Sequence, residues 1–118
     1  MEAAPKIAAV EKYVEAFEAK SIDLIRDLFA DDATVEDPVG TDVYDGIEAI
    51  LGFYRNAFEM NARLELTGTP RCAGNAVAFP FRVDAAGMKL ESIDVFEFGA
   101  DGKVVSMKAY WGSENVLS

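Results

Sequence analysis

Four successive runs of the chain alternate polar and apolar residues: Arg63 to Arg71, Asn75 to Val83, Met88 to Phe98 and Lys103 to Trp111, parted only by short turns. A period of two turns successive side chains to opposite faces of a strand, and connections this short join neighbouring strands antiparallel. The back of the chain is thereby committed to an antiparallel meander with an apolar face that must be covered. On the second run Val77, Phe79, Phe81 and Val83 share a face, as do Val105, Met107, Ala109 and Trp111 on the fourth. Pro80 breaks the second run's row of donors and predicts an edge or a bulge there.

The cover lies in front. From Pro5 to about Lys20, Ile7, Val10, Tyr13/Val14 and Phe17 recur at three- and four-residue steps, which predicts an amphipathic helix. A second helix is expected after Ser21, a good N-cap, running to about Ala30 with Ile22, Ile25, Leu28 and Phe29 inward. The acidic stretch Asp31 to Gly40 reads as a loop around a very short strand at Thr34 to Glu36. A third helix is expected from an Asp45 cap, with Glu48 completing a capping box, to about Met60; its apolar side is Ile47, Ile50, Leu51, Tyr54 and Phe58. Helices in front and strands behind predict an α+β layer fold, with three helices on one curved, mainly antiparallel sheet. With 118 residues and no linker or repeat, residues 1–118 are expected to form one domain. A bent sheet closed by helices leaves a conical pocket between the layers, where apolar ligands bind.

Charge and residue types narrow the chemistry. The net charge of −10, with 21 acids against 11 bases, lacks the basic footprint of a nucleic-acid binder and disfavours anionic membranes. No stretch approaches the ~20 apolar residues of a bilayer span. The amphipathic start reads as a helix and not as a secretory signal, so a cytoplasmic setting is the expectation. The single cysteine, Cys72, is expected in the core. There is no histidine, which removes serine and cysteine triads and the imidazole-dependent zinc and haem sites. Proton transfer is left to carboxylates and phenols. No Gly-rich phosphate loop is present, and Asp31 to Asp45 lacks the register of a calcium loop, so no metal site is expected.

Three residues stand out by position. In the third run Met88, Leu90, Ser92, Asp94, Phe96 and Phe98 share one face, so Asp94 points the way the apolar residues point. A lone carboxylate there must be protonated, paired with a cation such as Arg55 or Arg82, or line a cavity, unless a bulge shifts the parity of the strand. Tyr13 is a phenol on an apolar helix stripe, and can equally be a core tyrosine with a satisfied hydroxyl. Asp37 precedes Pro38 at the end of the acidic stretch, and can equally be a turn acid bonded to nearby backbone.

Residue identity adds a resemblance. Phe29-Ala-Asp-Asp-Ala-Thr-Val-Glu-Asp-Pro-Val-Gly40 resembles a signature of bacterial ketosteroid isomerases. Tyr13 within Glu-Lys-Tyr-Val-Glu-Ala, Ile93-Asp-Val-Phe96 and Gly102-Lys-Val-Val-Ser-Met-Lys-Ala-Tyr-Trp111 extend the resemblance over nearly the whole chain. It implies the cone-shaped fold named after nuclear transport factor 2, a homodimer packed through the sheet, a small steroid substrate and no cofactor. It implies that Asp37 is the general base, and that Tyr13 and a protonated Asp94 donate hydrogen bonds to the ketone oxygen. This division of labour between carboxyls is long worked out for ketosteroid isomerases.

By the same resemblance Tyr54 hydrogen-bonds the catalytic phenol, and Trp111 stands beside the base. Val39, Phe53, Phe58, Phe79, Phe81, Met107 and Trp111 are then walls for a flat apolar substrate, or plain core. Some relatives carry a further tyrosine where this chain has Phe29. Rival readings are a non-catalytic member of the same fold that binds an apolar ligand or a protein, and a related lyase, cyclase or epoxide hydrolase. Scytalone dehydratase-like chemistry relies on histidines, which this chain lacks.

Overall fold

The computed structural model describes residues 1–117. Three helices, α1 (Ala3–Ala19), α2 (Ile22–Leu28) and α3 (Ile47–Glu59), lie against a seven-stranded sheet. The strands are β1 (Phe29–Glu36), β2 (Tyr44–Asp45), β3 (Arg63–Leu66), β4 (Arg71–Ala73), β5 (Ala76–Ala85), β6 (Met88–Phe98) and β7 (Val104–Tyr110). Their order is β2-β1-β7-β6-β5-β3, with β4 also paired to β5. Only β1 and β7 run parallel; every other pairing is antiparallel. This is the α+β layer architecture that the strand and helix periods predict.

Several local expectations shift, each for a tertiary reason. On α1 the buried stripe includes Lys6 and leaves Ile7 36% exposed. The Lys6 ammonium reaches the Gly74 carbonyl at 2.7 Å in the β4–β5 turn, which rewards burying a stem and charge that the apolar period could not anticipate. Ser21 caps α2 as expected, accepting from the Leu24 amide at 3.2 Å. The helix stops at Leu28, however, because Phe29 already pairs with Val104 of β7. The short strand expected at Thr34 to Glu36 is therefore the end of a longer one. A register shift between Phe29 and Thr34 lets Asp31 and Asp32 face water while Phe29, Ala33 and Val35 are buried.

The capping box at α3 does not form. Asp45 is paired with Thr34 in β2, so Gly46 takes the cap at φ +90°, a conformation that favours glycine. The run Arg63 to Arg71 divides into β3 and β4 around Thr67 to Pro70. Pro80 lies opposite this break: its carbonyl accepts from Thr67 at 3.0 Å, so its missing donor faces the gap, a local edge inside a central strand. Gly68 packs there so closely that an added Cβ would stand 2.9 Å from the Pro80 ring. On β7, Glu97 pairs with Ser106 but Phe98 with Val104, a bulge that turns Val104 inward and leaves Val105 half-buried. Met107 and Ala109 keep the inward face. Cys72 is half-buried against the core.

Candidate active site

The sheet register sets the floor of the site. Phe79 of β5, Asp94 of β6 and Ala109 of β7 form one row across the concave face, and Phe81 and Ser92 begin the next. Asp94 is 0% exposed, and neither carboxyl oxygen has a hydrogen-bond partner. Neither arginine named as a partner pairs with it: Arg82 pairs with Glu91 at 3.3 Å on the opposite face, and Arg55 is exposed. Burial pushes the Asp94 carboxyl well above the ordinary carboxylate range, and the charge of Asp37 adds to this; the Tyr13 and Ser92 hydroxyls draw it back in part. Among the other acids between Asp31 and Asp45, Asp31, Asp32, Asp42 and Asp45 are exposed.

The helices supply the roof. Tyr13 of α1 is 2% exposed and its hydroxyl lies 2.9 Å from that of Tyr54 of α3. Its ring meets Phe96 at 5.2 Å and Phe79 at 5.8 Å edge to face, so the helix phenol stands directly on the sheet. Burial holds both phenols well above their ordinary range, with Asp94 contributing to each, so both stay protonated at neutral pH. Phe29 packs on Tyr54 at 5.9 Å without a hydroxyl, and the phenol chain has two members.

Asp37 arrives by a different route. Because β1 runs parallel to β7, with Glu36 beside Lys108, the residues after β1 travel along the end of β7, and the Val39 amide donates to Ala109 at 2.8 Å. Trp111 just beyond β7 donates its indole N–H to Asp37 Oδ1 at 2.8 Å. Burial raises the Asp37 carboxyl above its usual value and the indole bond opposes that rise. In the fold the counterweight to burial is the tryptophan. Asp37 is near enough for its charge to act on Tyr13, Tyr54 and Asp94.

The other expected walls separate into groups. Phe58, Phe79, Phe81 and Met107 are buried, and Phe53 is half-buried between Tyr44 at 4.8 Å and Tyr54 at 5.0 Å. Val39 is 41% exposed and stands with Trp111 at the rim. Phe17, Phe96 and Ser92 also belong to the site and were not singled out as site residues in the sequence. For Phe96 and Ser92 the signal was present, since both share the face of β6 with Asp94. The conical space between the layers is filled by the rings of Tyr13, Phe17, Tyr54, Phe58, Phe79 and Phe96. A cavity of about 570 Å³ lies where α1 ends and β3 begins, and Phe17, 5.1 Å from the Tyr13 ring, forms part of its wall.

The arrangement buries the Tyr13 phenol and the Asp94 carboxyl together, with an indole-bonded Asp37 carboxyl near enough for its charge to act on both. Among the described residues no cluster of histidine, cysteine and acidic side chains is arranged to hold a metal ion, and no helix is long and apolar enough to cross a membrane. Known proteins share this frame. The chain is 44% identical over 114 residues to a steroid Delta-isomerase of Nocardioides simplex, covering 93% of this chain and 92% of that one. Its structure superposes with a TM-score of 0.88 and 26% identity on the epoxide hydrolase/cyclase-like enzyme SalBIII, described for pyran ring formation in polyether salinomycin; the match covers 94% of this chain and 93% of that one. The curated relative makes this chain the homologue of an isomerase over most of its length. Residues 10–107 match the SnoaL-like domain, so the chain belongs to the SnoaL-like family, with the fold of the nuclear transport factor 2-like superfamily.

Proposed function

We propose that residues 1–118 act as one ketosteroid isomerase-like domain that converts 3-oxo-Δ5-steroids to conjugated 3-oxo-Δ4-steroids without a cofactor. The observation that carries this reading is the fully buried, partnerless carboxyl of Asp94 beside the Tyr13 phenol, with Asp37 half-buried nearby. The 44% identity to a steroid Delta-isomerase supports the substrate class.

In this mechanism the substrate ketone accepts hydrogen bonds from Tyr13 and protonated Asp94. The Asp37 carboxylate removes a proton from the carbon between the ketone and the isolated double bond. The electron pair of that C–H bond moves into the conjugated system, and the ketone oxygen becomes a dienolate. Asp37 then returns the proton to the far end of the former double bond, and the ketone reforms. Raising the Asp37 carboxyl makes it a stronger base while the Trp111 bond keeps it ionised. A dry site strengthens each donor toward developing negative charge. Phe79, Phe81, Met107 and Trp111 flank the rows that hold the donors, and would bracket the flat rings. We also assign a homodimer. Ile93 and Tyr110 are 48% and 49% exposed on the convex face of the sheet, directly opposite the site, and an apolar patch there fits a second copy.

The test is direct. The purified protein mixed with 5-androstene-3,17-dione will generate the ultraviolet band of the conjugated enone. A protein that only bound the steroid would leave the spectrum unchanged, which would refute the assignment.

Trp111→Phe gives a more specific check. It keeps an aromatic wall and deletes the indole donor, so kcat will fall by about ten- to a hundredfold, the weight of one hydrogen bond to a charged group. The base must be ionised to work, so activity is lost as pH falls through the Asp37 pKa. The indole bond lowers that pKa; its loss will move the acid limb of the pH–rate profile to higher pH. An unmoved limb would separate Trp111 from the base.

A further inference from the structure

Among the described residues one buried hydroxyl has no hydrogen-bond partner. Ser92 is 5% exposed and its Oγ has no partner, and the same holds for both oxygens of Asp94. The two residues are two positions apart on β6 and therefore stand on the same concave face. Their cross-strand neighbours on that face, Phe79, Phe81 and Ala109, have no polar side-chain atom.

The site's remaining protons have destinations. Tyr13 and Tyr54 share one bond at 2.9 Å; when Tyr54 donates to Tyr13, the Tyr13 proton is free for the substrate ketone. A neutral carboxyl has one O–H donor and one carbonyl acceptor. If its O–H also faces the ketone, its carbonyl oxygen still needs a donor in a niche closed to bulk solvent. Ser92 is the hydroxyl on that face with a proton to give.

We propose that Ser92 is a positioning residue: its hydroxyl donates to the carbonyl oxygen of protonated Asp94, which decides which carboxyl oxygen carries the proton and aims that proton at the substrate. The inference rests on the reading of Asp94 as a neutral donor. The groups that face Asp94 are Tyr13 from α1, Tyr54 from α3, Asp37 beyond β1 and Ser92 from its own strand. Of these, Asp37 raises the Asp94 carboxyl and the Tyr13 and Ser92 hydroxyls lower it.

Valine and threonine, isosteric with each other, isolate the hydroxyl when each replaces Ser92. Ser92→Val will lower kcat about tenfold with KM changed by less than about twofold, the pattern of an interaction that matters in the transition state, and Ser92→Thr will restore it. The active form needs Asp94 protonated, so activity falls as pH rises through its pKa; removing a donor that lowers this pKa will move the alkaline limb upward in Ser92→Val. Carbon-13 NMR of the Asp94 carboxyl in the ligand-free protein, assigned with Asp94→Leu, will show the same upward displacement without relying on turnover. Equal kcat and equal titration in Ser92→Val and the parent would overturn the proposal. A raised KM at unchanged kcat would overturn it too, since Ser92 would then touch the substrate itself. A parent protein without turnover whose carboxyl titration still shifts in Ser92→Val would support this hydrogen bond and count against the isomerase reading alone.

Discussion

Asp37→Asn will slow isomerisation of a β,γ-unsaturated 3-ketosteroid by about 10²–10⁴-fold in kcat, with KM nearly unchanged. The amide has the size of the carboxylate and its carbonyl still accepts the Trp111 N–H, which now spans 2.8 Å to Asp37 Oδ1. What it lacks is any capacity to take a proton from carbon. The apolar walls and both ketone donors remain, so ground-state binding should persist while the transition state loses its base. Steady-state ultraviolet assays, with a circular dichroism melt to show an intact fold, provide the measurement. Full activity in this variant would remove Asp37 from the mechanism.

The second large effect joins activity to stability. Asp94→Leu will lower kcat by about 10²–10³-fold, the weight of one donor aimed at a developing oxyanion. The same change will stabilise the protein at neutral pH. Asp94 is fully buried without a partner, and leucine fills similar space with nothing to desolvate. The sign follows from proton linkage. An unfolded aspartate titrates near 3.9, whereas the folded group titrates well above that range, so between these two values the native state binds more protons than the unfolded one. This contribution is fully present below the unfolded value and is lost as pH rises through the folded one. Parent stability will therefore decline over that window more steeply than that of Asp94→Leu. The slope will not vanish, because Asp37, raised by burial, acts in the same direction. Denaturant midpoints at several pH values will test this. A leucine variant less stable than the parent at pH 7 would mean that Asp94 is charged and paired.

Much of the site was legible because strand parity is a local property. The face shared by Leu90, Asp94, Phe96 and Phe98 follows from alternation along one segment, and the fold keeps it. Tyr13 on the α1 stripe was legible for the same reason. The bulge that exchanges Val105 for Val104 was not, since it arises from how β7 must register with β6. Nor was the burial of Lys6, whose acceptor at Gly74 lies 68 residues away. The acidic stretch misled in an instructive way. Asp31 and Asp32 look like loop, yet they belong to a strand whose bulge lets both face water.

The amino-acid sequence by itself determined the layer architecture and the absence of imidazole chemistry, and it marked Tyr13 and Asp94 as polar groups on apolar faces, because these depend on residue type and on spacings of two to four. Tertiary structure alone decided how they meet. The parallel pairing of β1 with β7 brings Asp37 to a tryptophan 74 residues distant, and the packing of α1 on α3 joins two phenols 41 residues apart. Those meetings set the local polarity, and polarity decides whether a carboxyl keeps its proton. Burial of one acid in a row between Phe79 and Ala109, and the indole held against the other, give two chemically identical side chains different surroundings: Asp94 is pushed well above the ordinary carboxylate range, and the rise at Asp37 is opposed by a hydrogen bond.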